Sequence, residues 1–275
     1  LRTLRSLAPS TVLGVVLVGA AVIAAVFGQF FAPHDPFAFV GEPFQPPGPE
    51  FVFGTDQLGR DVASRVIMGA RASMLFALGA ATISLVVGVI LGGVAGYFGG
   101  MLDSFLSRVF ELFLMLPMMV LLIVVMSIFG RSMLFAVVIV GITTWPSHAR
   151  LARAQALALR ERGYVVSSRG FGASSMWALF RHVLPNGKGP IIANALLQMA
   201  AAALIEGGLS FLGLGDPNQV SWGLMIAEAR PYIQSMTWML AFPGAALTLF
   251  VLGFHLLGEA IEQRPKRRRR MTADV

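Results

Sequence analysis

The chain has 275 residues, of which only 13% are Asp, Glu, Lys or Arg and 56% are apolar. Ordinary domains carry about 25% charge, so a water-soluble fold is excluded, and the mean hydropathy of +0.74 reads as an integral membrane protein. A complete lack of cysteine removes disulfides, thiolate metal sites and thiol nucleophiles, and the net charge of +7 makes the placement of Lys and Arg the next question.

A bilayer-crossing helix needs about 20 apolar residues at about 1.5 Å each. Six stretches qualify, near 12–32, 74–97, 105–129, 132–149, 190–214 and 237–257. The first follows Arg2 and Arg5 and exceeds the roughly 7–15 apolar residues of a secretory signal, so it reads as a retained signal-anchor after a short N-terminus, 1–11. Residues 33–72 form a first outer loop, in which Asp56, Arg60, Asp61 and Arg65 cluster beside Gly54 and Gly59. These four are expected to form an outer cap that braces this side of the membrane domain and meets another protein.

The third stretch begins with Arg108 and Glu111, three residues apart and spaced to pair. Pro117 and, in the last stretch, Pro243 lie inside spans and are expected to kink them, with neighbouring packing filling the gap. Residues 150–189 form a basic inner loop. Arg150–Arg162 carries the fourth span onward as a helical stem, and a short segment from Tyr164 to Phe171 is followed by a Gly172-Ala173 turn. Ser174 then caps a second short helix, Ser175 to His182, which Leu184-Pro185-Asn186-Gly187 ends. The unit is a rigid elbow. Its small residues Ser167, Ser168, Gly172 and Ala173 allow another protein's backbone to come close.

The fifth stretch is interrupted only by Glu206. Steps of four and eight place Asn194, Gln198 and Glu206 near one face, and an intramembrane acid faces a pathway or a partner helix. A second outer loop spans 213–236, and the chain ends in a basic tail, 263–275, read as an orientation signal against anionic lipid and not as a nucleic-acid site.

With both termini in the cytoplasm, sixteen Lys and Arg fall inside and five outside, which supports that orientation. Residues 12–262 are therefore one transmembrane domain. The four histidines lie in separate segments and no paired metal-ligand spacing occurs, so neither a metal nor a catalytic centre is expected. An ion-driven secondary transporter or channel is the alternative compatible with Glu206, although it leaves the basic elbow without a task.

Several strings carry a resemblance. Gly172, then nine residues, His182 and Leu184-Pro185 is similar to the "EAA" loop of bacterial ABC importer permeases, with Val166-Ser167-Ser168 where E-A-A stands and His182 where Ile stands. Arg181-His182-Val183-Leu184-Pro185-Asn186 resembles the form found in the peptide/nickel subfamily. Gly54-Thr55-Asp56-Gln57-Leu58-Gly59-Arg60-Asp61, Ala95-Gly96-Tyr97-Phe98-Gly99-Gly100, Leu209-Ser210-Phe211-Leu212-Gly213-Leu214-Gly215 and Ser221-Trp222-Gly223 are similar to its other signatures. Leu256-Leu257-Gly258-Glu259 resembles its last span, with Glu259 for the usual Asp and His255 for the usual Asn.

The resemblance, to the C-type subunit of a dipeptide/oligopeptide importer, implies an all-α, type I importer-like permease with six spans in the bacterial plasma membrane. It implies a homologous second permease, two ABC ATPase subunits and an extracytoplasmic substrate-binding protein as partners. ATP and Mg would sit on the ATPases, since this chain has no G-x-x-x-x-G-K-[ST] sequence and would bind no cofactor itself. It also implies that Tyr164, Ser167, Ser168, Arg169, Phe171, Gly172, Ala173, Leu184 and Pro185 form the ATPase-coupling loop.

Overall fold

A computed structural model describes residues 8–271, with side chains to residue 262. Arg2, Arg5 and the side chains of the basic tail lie outside it. Among the described residues all regular elements are helical, apart from one isolated bridge between Thr55 and Asp61.

Helix α1, Pro9–Phe31, opens with proline in its first turn, where the missing N–H is no loss. Helix α2 runs over Val62–Phe98, far beyond the expected 74–97. Asp61 starts it: Oδ1 accepts from Ala63 N at 3.2 Å and Oδ2 from Ser64 N at 3.0 Å. Residues 62–72, expected in the outer loop, are therefore helical. Their polar side chains interrupt the apolar run without interrupting the backbone.

Gly99 and Gly100, with φ of 69° and 61°, separate α2 from α3, Gly100–Met115. Pro117 does more than kink the third span. The residue before a proline avoids helical angles, Leu116 is extended (φ −72°, ψ 124°), and α4, Met118–Phe129, departs at 75° from α3. Helix α5, Met133–Leu159, continues the fourth span into the basic stem as expected, with Pro146 inside it.

The elbow comprises α6 (Gly163–Gly170), α7 (Ser175–Ala178), a π-helical turn (Leu179–Val183) and α8 (Leu184–Asn186). Its second helical run thus passes through Leu184 and Pro185 and does not stop there. Helix α9 is Lys188–Phe211, α10 Trp222–Ala229, and α11 Trp238–Met271.

Five of these helices are long and apolar enough to span a membrane, and the bent α3–α4 pair makes a sixth if it acts as one span. Val16, Val26 and Phe31 expose 58–61% of their surface, which only a lipid surround makes tolerable.

The chain clusters into two compact units. Among the described residues one holds 8–78, Leu122–Val137 and Met199–Leu256; the other holds Gly79–Leu121, Val138–Gln198 and 257–271. In the second unit, Gly88, Gly92 and Gly96 of α2 form a stripe against α5. A Cβ at these positions would stand 2.5, 2.1 and 2.4 Å from the carbonyl oxygens of Trp145, Ala149 and Arg153. Such spacing lets backbones approach closely, the main source of helix association where lipid removes the hydrophobic drive. Arg153 adds a two-pronged ion pair to Asp103 of α3, at 2.5 and 2.7 Å. Asp103 rather than Glu111 is thus the paired acid of α3; no Arg108–Glu111 pair occurs among the described residues.

Candidate functional site: an exposed elbow and two buried polar centres

Within the second unit, the elbow is built on a helix-stop motif. At the end of α6, Ala173 N–H donates to Ser168 O and Gly172 N–H to Arg169 O, both at 3.0 Å, with Gly172 at φ 91°. These two bonds define a Schellman motif, which needs a left-handed residue where Gly172 stands. Two residues on, Ser174 Oγ accepts from Trp177 N at 3.2 Å and caps α7. Ser168 Oγ donates to Val165 O at 2.8 Å, so that hydroxyl serves the helix itself.

The inner face of the elbow is anchored by Val165, Ala178, Leu179 and Val183, all fully buried in one cluster with Tyr97, Ala156 and Leu184. Each fully buried aliphatic side chain contributes about 1.5–3 kcal/mol. Leu184 is therefore an anchor, 9% exposed and packed where Gly93 of α2 leaves room, and not a surface contact. The outer face shows the opposite. Phe171 is 93% exposed, and Tyr164, Val166, Met176, Trp177 and Phe180 are each 44–54% exposed. His182 is tucked beneath two of them, with ring centroids 4.9 Å from Trp177 and 6.2 Å from Tyr164. Met176, Trp177 and Phe180 escaped sequence reading because only the turn tells which side of α7 and the π-helical turn after it faces out.

In the first unit, the four charged residues of the first loop are buried, at 2% for Asp56, Asp61 and Arg65 and 8% for Arg60. Asp56 accepts from Arg60 Nε at 2.6 Å and from Arg65, while Glu228 of α10 takes the other ends, at 3.2 Å from Arg60 and 2.8 Å from Arg65. Two cations meet two anions, so the network is neutral and closes on this chain. The four side chains thus brace the loop from within this chain. Asp61 is occupied by the α2 cap and by His34 at 3.5 Å. Glu228 was not singled out, because nothing in a spacing of 168 residues connects it to Arg60.

Glu206 is 8% exposed, and its Oε1 accepts from Ser210 Oγ at 3.0 Å and Ser221 Oγ at 2.6 Å. Its Oε2 has no hydrogen-bond partner among the described residues, and Glu206 lines a small cavity of about 20 Å³. The Leu209–Gly215 string ends α9 with a second Schellman motif: Leu214 N–H donates to Leu209 O at 3.0 Å and Gly213 N–H to Ser210 O at 2.9 Å. Ser221-Trp222-Gly223 then fastens α10. Ser221 caps it and reaches Glu206, Trp222 Nε1 donates to Val66 O of α2 at 2.8 Å, and a Cβ on Gly223 would lie 2.6 Å from Gly207 Cα. Asn194, Gln198 and Glu206 do not share a narrow face. At about 100° per residue the twelve-residue step from Asn194 to Glu206 accumulates about 120°.

These strings are thus structural fastenings of a helical membrane protein, and the chain as a whole is similar to a class of membrane transport subunits. The family of inner membrane components of binding-protein-dependent transport systems matches residues 88–267, and the chain belongs to it. Similar proteins include the probable D,D-dipeptide transport system permease protein DdpC of Escherichia coli (strain K12), 36% identical over 92% of this chain and 86% of that protein. The dipeptide transport system permease protein DppC of Bacillus subtilis (strain 168) is 38% identical over 90% of this chain and 79% of its own length. The oligopeptide transport system permease protein OppC of the same organism is 31% identical over 90% and 82%. The chain is a multi-pass inner-membrane permease subunit of an importer, a transport component and not an enzyme.

Proposed function

We propose that this chain forms half of the translocation pathway of an ATP-driven importer of peptides or similar small solutes, and that the elbow is where it couples to an ATPase. The observation that carries this reading is the exposed apolar face around Phe171, presented on a short helix that ends in a tight left-handed turn. An isolated loop gains nothing from leaving six large apolar side chains outside, whereas a groove on a second protein would bury them. Arg169, exposed on the same helix, adds a charge for acids on that protein.

The machine would comprise a homologous second permease, two ATPase subunits carrying ATP and Mg, and an extracytoplasmic binding protein. Both termini and the elbow would lie in the cytoplasm, as the distribution of Lys and Arg favours. Nucleotide-driven closure of the ATPases would move the elbow, and the helices would pass the motion on through contacts that differ between two states. Peptide as the substrate rests on the names of the similar proteins.

The turn itself supplies the test. No atom lies within 4 Å of a Cβ built on Gly172, so within this chain a larger residue meets no clash. Gly172→Ala should cost only the left-handed strain, about 1–2 kcal/mol, and keep uptake. Gly172→Trp should leave the spans inserted yet detach the ATPase and abolish uptake. A Trp variant that still couples ATP hydrolysis to uptake at the wild-type rate would overturn the assignment of the elbow. An ion-driven transporter without an ATPase would show no copurifying ATPase at all.

A further inference from the structure

The first unit contains a second, much larger cavity. It has a volume of about 660 Å³ and lies between α1, α2, α9 and α11. Its walls are apolar: Val18 and Val22 from α1, Leu75 and Leu78 from α2, Phe254 from α11. Only two polar side chains border it, Gln29 and Arg71. Both stand toward the ends of α1 and α2 that are joined by the first loop, since α1 ends at Phe31 and α2 begins at Val62. From Gln29 the α1 wall descends to Val18, a rise of about 16 Å. The groove is therefore amphiphilic along the helices, cationic and amide-bearing at one end and hydrocarbon-like below it.

Arg71 is exposed and forms no ion pair or hydrogen bond among the described residues, in contrast to Arg60 and Arg65, each of which is paired with both Asp56 and Glu228. An unpaired guanidinium at the margin of an apolar stretch calls for an anion at the same depth, and its planar fork suits a phosphodiester. The long uncharged apolar run of α2 starts at Met74, three residues after Arg71, the last charged side chain before it, which places Arg71 at the level of lipid headgroups. A hydrophilic solute would find no polar group along the lower walls, so polarity and charge together select an amphiphile. The volume lies within the range of about 300–1,000 Å³ typical of specific ligand sites.

We propose that this groove is a glycerophospholipid site, with the phosphodiester held by Arg71 and Gln29 and an acyl chain lying between α1 and α2. The site is independent of the elbow and does not require the chain to carry peptides.

Phosphatidylglycerol bearing a diazirine on one acyl chain, in nanodiscs holding the whole transporter, provides the probe. After illumination the label should map to α1 and to residues 71–78. A hydrogen bond to a charged group is worth about 1.5–3 kcal/mol, so Arg71→Gln should reduce that labelling about ten-fold or more. Arg71→Lys should retain part of it. Ala25→Trp, which fills the groove and leaves Arg71 in place, should abolish it; if that variant does not insert, Arg71→Gln alone decides. Equal labelling in wild type and Arg71→Gln would overturn the proposal. So would labelling of the chain alone that vanishes once the second permease is present, since the groove would then be a protein interface.

Discussion

Replacing Asp56 by Asn removes one charge from the neutral set of Asp56, Glu228, Arg60 and Arg65. Asp56 accepts from Arg60 Nε, from Arg65 and from the backbone N–H groups of Leu58 and Arg60, at 2.8 and 3.0 Å for the last two. Both backbone bonds end on Oδ1 and both guanidinium groups on Oδ2, so an amide can keep the backbone pair only by turning its NH₂ toward the two cations. Arg65, at 2% exposure, cannot reach water to compensate. Breaking one side of such a buried pair costs about 3–5 kcal/mol, enough to lower the yield and thermal midpoint of the purified complex. The assay is thermal unfolding in nanodiscs of Asp56→Asn, Arg65→Gln and the double variant. Because both single variants break the same Asp56–Arg65 pair, the double should cost less than their sum, by about 0.5–3 kcal/mol. Loss below about 0.5 kcal/mol in the single variants, the range of ordinary surface changes, would refute the claim that this network braces the loop.

Glu206→Gln keeps an acceptor for Ser210 and Ser221 and should preserve assembly, whereas Glu206→Leu orphans two buried hydroxyls at about 1–3 kcal/mol each and should lower the yield of intact complex. If the Leu variant assembles normally, the carboxylate does not hold α9 to α10, and a change of uptake in the Gln variant would point instead to the pathway. Gly92→Leu should prevent α2 from seating on α5, because even a Cβ there meets Ala149 O at 2.1 Å; wild-type expression would contradict that packing. Gly244→Ala should do the reverse and stabilise by about 0.4–1 kcal/mol, since the helical position is open and the unfolded chain loses freedom. Trp222→Phe, which removes the bond to Val66 O, should lower stability by about 1 kcal/mol, measurable as a drop in thermal midpoint.

Composition and hydropathy alone establish that this chain crosses a membrane, because the cost of exposing apolar residues to water is a property of residues and not of their arrangement. The elbow was also legible locally. Gly172 marks a left-handed stop and Ser174 a cap, and both act within five residues of themselves. Gly213 encodes the end of α9 in the same way, although the expected span ran three residues past it.

What the sequence could not settle lies where distant residues meet or where helix and lipid exposure part company. Helix α2 begins twelve residues before its apolar run, since hydropathy reports the surrounding solvent and Asp61 reports the backbone. Pro117 permits a kink or a break, and only the structure shows α4 leaving at 75°. The loop charges do not by themselves name Glu228 of α10, which pairs with Arg60 and Arg65 only once the chain has folded. Ion pairing, burial and the unpaired state of Arg71 are decided by which segments fold together, and tertiary structure alone sets that.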